Sequence, residues 1–207
     1  MPGLVGLITE MPSKQAEAEV LRMLATLCHE SSYVSGTWSD ESLGIYLGWV
    51  VRDERTASSM PLFNEQRNVV LAFSGDDFPE PGIATQLKER GHSCEAVGPS
   101  YLVHLAEEDT SFPKSLNGRF HGVLIDRRTG IVSLFNDRYG MHRIYYHQAR
   151  DGFYFAAEAK ALLAVRPELR SIDPDGLGQF VSCGCTMENR TIFRGISVLP
   201  PASAWKF

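Results

Sequence analysis

The sequence predicts an α+β fold in which two antiparallel β-sheets are flanked by α-helices. Segments of β-type composition outnumber helical segments along the 207 residues. In addition, RRTG at 127–130 and QARD at 148–151 separate neighbouring strand segments, and short turn segments of this kind join antiparallel hairpins. Because a parallel sheet needs a long crossover between successive strands, these hairpins argue against a parallel doubly wound fold.

Hydrophobic patterning predicts the individual elements. Ala16, Val20 and Leu24 recur at helical spacing, which predicts an amphipathic helix with one core face. Pro174 suits the first turn of another helix, where its missing N–H is not needed. The Ser-rich segment after the first helix is expected to be a loop. The predicted strands cover 4–8, 43–51, 68–73, 120–126, 131–135, 143–147 and 152–156, and the predicted helices cover 14–29, 82–90, 100–108, 157–165 and 174–182.

Composition predicts one globular domain over residues 1–207 and excludes several classes of protein. The formal net charge is -5 and no basic block occurs, so nucleic acid is not an expected partner. The short apolar run at residues 4–8 is preceded by no basic segment, which predicts neither a signal peptide nor a membrane span. We therefore expect a cytoplasmic protein whose four cysteines are reduced thiols.

The usual sequence signatures of metal and nucleotide sites are missing. The CGC segment at 183–185 lacks a second pair of ligands at metal-binding spacing, and the six histidines share no spacing, so no metal site is predicted. The histidines are expected to be packed or surface side chains. The segment SGDDF at 74–78 is predicted to be a turn that presents backbone N–H groups and two carboxylates, although an ordinary turn explains it equally well.

Four segments, taken in order, resemble a known family. They are PLFNEQRNVVLAFSGDDF, LNGRFHGVLIDRRTGIVSLFNDRYGMHRIYYH, FYFAAEAKALLAV and IDPDGLGQFVSCGCTMENRTIFRGISVLPPASAW. Together they resemble the glutaminase domain of asparagine synthetase and other class II glutamine amidotransferases, which have an N-terminal nucleophile (Ntn). The resemblance implies an Ntn-hydrolase-like sandwich of two antiparallel sheets. We also expect a scaffold role, through ion pairs and turn contacts, for Asp137, Arg138, Glu158 and Lys160; the alternative is that these residues face the domain that follows in the family.

The most important departure from the family lies at the second residue. The family has a cysteine there, whose thiolate attacks the glutamine amide while its own α-amine acts as the base. This sequence has Pro2, which offers a ring nitrogen but no side-chain nucleophile. The resemblance therefore implies that no catalytic residue is retained and that no thioester forms by the family's route.

The other residues of the family's glutamine pocket are also changed, which implies a vestigial site. The two oxyanion donors of the family match Ser74 and Gly75, and the acidic residue that follows them matches Asp76. The arginine that holds the substrate carboxylate matches Val51, or Arg52 if the register slips by one residue. The aspartate that holds the substrate amino group falls at Gly98 or Pro99, so its carboxylate is missing.

These matches lead to one expected function and two alternatives. The expected function is a glutaminase-like domain without glutaminase activity, which stabilises or docks on an ATP-dependent amide-forming synthetase domain that is absent from this chain. ATP and Mg²⁺ would belong to that domain, and this chain, either a fragment or a free-standing domain, needs no cofactor of its own. The alternatives are a module that binds a small amino acid or amide, and a weak hydrolase that uses Pro2 as its base. A homodimer is a further open expectation.

Overall fold

A computed structural model describes residues 2–52, 59–95 and 98–207. The chain forms two compact units, one of Met1–Asp53 with Arg143–Pro200 and the other of Glu54–His142 with Pro201–Phe207. The α-helices in the described residues are α1 (Ser13–Leu27), α2 (Ile83–Glu89), α3 (Tyr101–Glu108), α4 (Ala159–Val165) and α5 (Pro174–Cys183). The strands are β1 (Gly3–Thr9), β2 (Val34–Asp40), β3 (Ile45–Val51), β4 (Leu62–Phe63), β5 (Val69–Asp77), β6 (Gly118–Asp126), β7 (Ile131–Asn136), β8 (Tyr145–Gln148), β9 (Gly152–Ala156), β10 (Ser197–Val198) and β11 (Ala204–Lys206).

The first unit is built on a six-stranded sheet with the order β10-β8-β9-β1-β3-β2. Strand β1 lies between β9 and β3 and is antiparallel to both. Its alternating residues Val5 and Leu7 join one buried cluster with Val20 and Met23 of α1 and Leu162 of α4. Alternate residues of β1 thus pack against the apolar faces of α1 and α4, and together they form a core.

Gly6 shows why β1 needs its glycine. A Cβ atom at this position would lie 2.2 Å from the ring of Phe155 on the neighbouring strand β9. That separation is far below an ordinary van der Waals contact, so any larger residue would displace the aromatic ring. The opening run of the chain is therefore a buried central strand whose glycine makes room for a neighbouring side chain.

The second unit is built on a five-stranded sheet with the order β11-β7-β6-β5-β4. The long pair of β5 and β6 keeps continuous antiparallel register from Val69 opposite Asp126 to Asp77 opposite Gly118. Leu71 and Phe73 of β5 and Phe120 of β6 lie in one buried cluster with residues of α2 and α3. Alternating apolar residues therefore give this sheet a face covered by helices.

The structure confirms the predicted fold class and most of its elements. Both predicted hairpins are present, since β6 pairs with β7 across 127–130 and β8 pairs with β9 across 149–151. The Ser-rich segment was wrongly predicted to be a loop, because it includes strand β2, which pairs along its whole length with β3. The short strands β4, β10 and β11 were also missed.

Two further features bear on the sequence predictions. All four cysteines are free thiols, of which Cys94 is buried and the other three are exposed. Among the residues that the structure describes, no helix is both long and apolar enough to span a bilayer. The predicted charge pairing at the start of α4 is present, with Lys160 Nζ 3.0 Å from Glu158 Oε2.

Candidate functional site

Pro2 lies at the start of the central strand of the first unit. It is half-buried and directly precedes β1. Gly3 pairs with Val50 of β3, so continuing this register by one residue places Pro2 across from Val51. Val51 is buried and apolar, whereas Arg52 is exposed beyond the end of the strand. The position matched to the arginine that holds the substrate carboxylate is therefore a buried valine across from Pro2. The guanidinium of Arg52 belongs to the next residue, which is exposed.

The segment Ser74–Gly75–Asp76 lies in the second unit, at the end of β5. It was predicted to be a turn, which is wrong, because these residues continue the strand and pair with His121, Phe120 and Arg119 of β6 in that order. Gly75 has a φ of 119°, and a Cβ atom there would lie 2.1 Å from the carbonyl oxygen of Arg119. The close approach of the two strands thus requires glycine at this position.

The two carboxylates of this segment are engaged with other residues of the second unit. Asp76 Oδ2 accepts a hydrogen bond of 3.1 Å from Arg119, and both side chains are more than half exposed. Asp77 Oδ2 accepts a hydrogen bond of 2.6 Å from the hydroxyl of Tyr101, and its Oδ1 accepts one from the Asn117 N–H. Burial, with help from Asp77, raises the pKa of Tyr101, which keeps this phenol a donor.

Gly98 and Pro99, the matched positions for the missing aspartate, lie just before α3. The Pro99 carbonyl accepts a hydrogen bond of 2.9 Å from the Leu102 N–H, so this residue helps to start the helix. Gly98 has a φ of 110° and is exposed, and none of the residues described around it has an atom within 4 Å of the Cβ that a larger residue would carry. Neither residue brings a carboxylate to this position.

Asp137, which was predicted to have a scaffold role, organises the neighbourhood of Ser74. The Asp137 side chain is fully buried and accepts backbone hydrogen bonds of 2.9–3.3 Å. The predicted turn contacts of Asp137 are therefore present, and they shape the loop from β7 to residue 142. The donors are the N–H groups of Phe120, Tyr139, Met141 and His142.

Two histidines lie against this end of β5, and no spacing in the sequence predicts that they meet. The rings of His121 and His142 stack with centroids 4.4 Å apart and an angle of 15° between their planes. His142 Nδ1–H donates to the carbonyl of Ser74 at 3.2 Å, and His121 Nδ1–H donates to the carbonyl of His142 at 3.3 Å. The register of β5 and β6, which places Ser74 opposite His121, is what brings them together.

Burial keeps both histidines neutral near pH 7. It lowers the pKa of His121 well below its ordinary value, and the neighbouring His142 lowers it further. Burial also lowers the pKa of His142, although its hydrogen bond to Ser74 opposes that effect. Both imidazoles near Ser74 are therefore neutral and hydrogen-bonded to backbone carbonyls. The Ser74 carbonyl is one of these acceptors, so it is engaged in a structural hydrogen bond.

Comparison with known proteins identifies the family. The chain matches the glutamine amidotransferase domain family, GATase_6, over residues 1–207. It belongs to this family. Over its whole length it is 25% identical to asparagine synthetase [glutamine-hydrolyzing] 3 of Bacillus subtilis (strain 168), of which it covers 35%. It is 29% identical over 141 residues to an asparagine synthetase [glutamine-hydrolyzing] of Zea mays, covering 65% of this chain and 21% of that protein.

Solved structures confirm the fold of this glutamine amidotransferase domain. Glutamine phosphoribosylpyrophosphate amidotransferase from B. subtilis, in complex with ADP and GMP, matches 99% of this chain and 48% of its own, with a TM-score of 0.62 and 14% identity. The predicted Ntn-type fold class, with two antiparallel sheets flanked by helices, is thus confirmed. The domain spans about a third or less of the curated asparagine synthetases it matches.

The buried His121 predicts a specific dependence of stability on pH. A histidine of the unfolded chain takes up a proton near pH 6.5, whereas folded His121 does not, so the free energy of unfolding falls as the pH falls below that value. We expect urea unfolding to show that His121→Gln removes part of this loss, on the order of 1 kcal/mol between pH 7.5 and pH 5.5.

The exposed His29 provides the matched control, since His29→Gln is expected to leave the same pH dependence unchanged. Comparing each variant with the parent protein cancels the contributions of the other titrating groups. An identical loss of stability in His121→Gln and in the parent protein would contradict the prediction.

Proposed function

We propose that this glutamine amidotransferase domain has lost glutamine hydrolysis and serves as a docking domain for an ATP-dependent amide-forming synthetase domain. Pro2 carries the proposal. Its position at the start of β1 matches the cysteine nucleophile of the family, and proline has no side chain that can attack an amide carbon. Without a nucleophile the acyl-enzyme route is closed at its first step.

The rest of the pocket supports the proposed loss of activity. The carboxylate of Asp76, which matches an anchor for the substrate amino group, is paired with Arg119. The buried side chain of Val51 cannot pair with a substrate carboxylate, and neither Gly98 nor Pro99 supplies an acidic group. Restoring one cysteine would therefore leave substrate without its usual anchors.

The proposed partner follows from the length of the relatives. The asparagine synthetases of Bacillus subtilis and Zea mays are glutamine-hydrolysing by name, and this chain matches only 35% and 21% of them. We infer that the remainder of such a protein is the synthetase half, which would bind ATP and Mg²⁺. In the proposed arrangement this half receives free ammonia or an amine instead of ammonia released by this domain.

Helix α5 offers an apolar surface for this docking. Among its residues, all of which the structure describes, only Gly176 is buried. Leu177, Phe180 and Val181 follow the i, i+3, i+4 spacing of one helix face, and they are 41%, 52% and 77% exposed. Ile172 and Met187 on either side are also exposed. We call the side chains of Leu177, Phe180 and Val181 the α5 apolar face.

An exposed apolar face of this kind is typical of a surface that contacts another protein. We assign the synthetase half as its occupant because the matched relatives continue well beyond the part that this chain covers. The proposed setting is the cytoplasm, where the exposed free thiols of Cys28, Cys183 and Cys185 would stay reduced.

We expect the purified chain to release no ammonia from glutamine above the buffer blank, because it lacks a nucleophile. Pro2→Cys is expected to remain inactive as well, because the substrate anchors are also missing. Mass spectrometry would show that residue 2 is the N-terminus in both proteins. Ammonia release that disappears in Pro2→Ala would overturn the proposed loss of activity and favour a hydrolase with Pro2 as its base.

Calorimetry separates this proposal from an amino-acid-binding or amide-binding module. Titration of the chain with glutamine or asparagine at millimolar concentration is expected to give only heats of dilution, because Asp76 is already paired and the other anchors are absent. A saturable heat that Asp76→Asn removes would instead support the binding module.

Docking through α5 predicts that a charge on its apolar face disrupts the complex. Val181→Asp should weaken binding to a separately expressed synthetase half by at least about tenfold, because an unpaired carboxylate would be buried on association. The binding measurement is titration calorimetry, and the thermal unfolding midpoint of the free domain should be unchanged because Val181 is 77% exposed.

The matched control is Ser182→Asp, which adds the same charge at the next exposed position of α5, outside the apolar face. It should bind as the parent protein does. Equal affinities for the Val181 and Ser182 variants would show that the synthetase half does not dock on this face.

A further inference from the structure

Four potential metal ligands converge in the second unit. One ligand atom from each lies within 4.8 Å of the corresponding atoms of the other three. We call this group the His-Glu cluster. It consists of Glu65, His92, His104 and Glu107.

We propose that the His-Glu cluster binds a divalent transition-metal ion of the zinc class. The sequence predicts no metal site because these residues share no ligand spacing along the chain. Only folding brings them together, with Glu65 in the connection from β4 to β5, His92 after α2, and two residues on α3. His104 and Glu107 are three positions apart on α3, so their side chains lie on the same side of the helix.

The surrounding protein orients His92 in the manner of a metal ligand. Its Nε2–H donates to Glu108 Oε1 at 2.8 Å, and Glu108 Oε2 is held by Arg90 at 2.6 Å. In the neutral imidazole, which is the form that binds a metal, this pairing fixes the proton on Nε2 and leaves a lone pair on Nδ1. Nδ1 lies 3.6 Å from Glu65 Oε2. A carboxylate that accepts from the outer nitrogen of a histidine is the usual support of a metal-binding imidazole.

Each of the two glutamates of the cluster is oriented by a hydrogen bond to one of its carboxylate oxygens. Glu65 Oε1 accepts a hydrogen bond of 2.6 Å from the Ser93 N–H, which leaves Oε2 for a ligand. Glu107 Oε1 accepts one of 3.1 Å from the Asn64 side-chain amide. The carbonyl oxygen of that same amide accepts from the N–H groups of Asn68 and Val69, so the connection that carries Glu65 is itself fixed.

Two buried atoms of the cluster have no hydrogen-bond partner within the part of the chain that the structure describes. They are Nδ1 of His104 and Oε2 of Glu107. The His104 side chain is only 3% exposed, and its Nδ1 lies 3.5 Å from Glu65 Oε2. A buried polar atom without a partner costs on the order of 1–3 kcal/mol, so a bound cation would relieve a real deficit. These two atoms, with Nδ1 of His92 and Oε2 of Glu65, are the proposed ligands.

Charge and geometry identify the class of ion. Two carboxylates and two neutral imidazoles carry a charge of about −2, which Arg128, 3.4 Å from Glu107 Oε1, offsets in part, so the set favours a cation. Zinc ligands at about 2.0–2.1 Å in a tetrahedron are separated by roughly 3.4 Å, close to the 3.5 and 3.6 Å from Glu65 Oε2 to the two imidazole nitrogens. Imidazole ligands favour zinc and its neighbours over Ca²⁺ and Mg²⁺. Four protein ligands indicate a structural rather than a catalytic site.

Isothermal titration of the chelator-treated 207-residue chain with Zn²⁺ tests the proposal. The starting protein carries Cys183→Ser and Cys185→Ser, because these exposed thiols could bind zinc by themselves. We expect one equivalent of Zn²⁺ to bind and to raise the thermal unfolding midpoint. His92→Ala and Glu65→Gln should each weaken binding at least tenfold, while His29→Ala, which removes a histidine of the other unit, should not.

Co²⁺ provides a second readout, since its visible absorption reports a tetrahedral site of nitrogen and oxygen ligands without a thiolate charge-transfer band. Glu108 acts on the proposed ligand atoms only through its hydrogen bond to His92. Glu108→Gln should therefore weaken binding less than His92→Ala. Glu65 is exposed, so Glu65→Gln keeps the test decisive if the histidine variant fails to fold. No saturable binding of Zn²⁺, or binding that Glu65→Gln and His92→Ala leave unchanged, would overturn the proposal.

Discussion

The buried carboxylate of Asp137 is the interaction on which the second unit depends. Its oxygens accept backbone hydrogen bonds from Phe120, Tyr139, Met141 and His142, and its carbonyl oxygen accepts from Gly140 and Ala202. The side chain of Asp137 therefore joins β6 to the loop after β7, and its backbone carbonyl adds the segment that leads into β11. A buried charge is tolerated only where such donors surround it, and here they are all backbone groups whose positions it fixes.

The same organisation extends to Ser74 and Asp76 at the end of β5. The loop held by Asp137 carries His142, whose imidazole donates to the carbonyl of Ser74, and His121 stacks on it from β6. Packing and neutral hydrogen bonds thus occupy the end of β5, and Asp76 is engaged with Arg119. The end of β5 is thus held by contacts within the second unit, whatever residue occupies position 2.

Local patterns in the sequence predicted those helices and strands whose own residues show a clear turn or periodicity. The hairpins around RRTG and QARD and the helices from α1 to α5 were found because their turns and periodicities are local. The edge strand β2 was missed because its mainly polar residues become a strand only by pairing with β3. The strand character of Ser74–Asp77 was missed for the same reason, since β6 continues to pair as far as Gly118. In both places a tertiary partner overrides the local signal.

The positions matched to the family's pocket could be predicted from the sequence, whereas the His-Glu cluster could not. Pro2, Ser74 and Asp76 were found by resemblance, because family motifs mark them one by one. The His-Glu cluster has no motif and depends on α3 packing beside the β4–β5 connection. Tyr101 at the start of α3 also donates to Asp77 at the end of β5, so this helix connects the cluster to the strand that carries Ser74. An ion that fixes α3 would therefore also stabilise the end of β5.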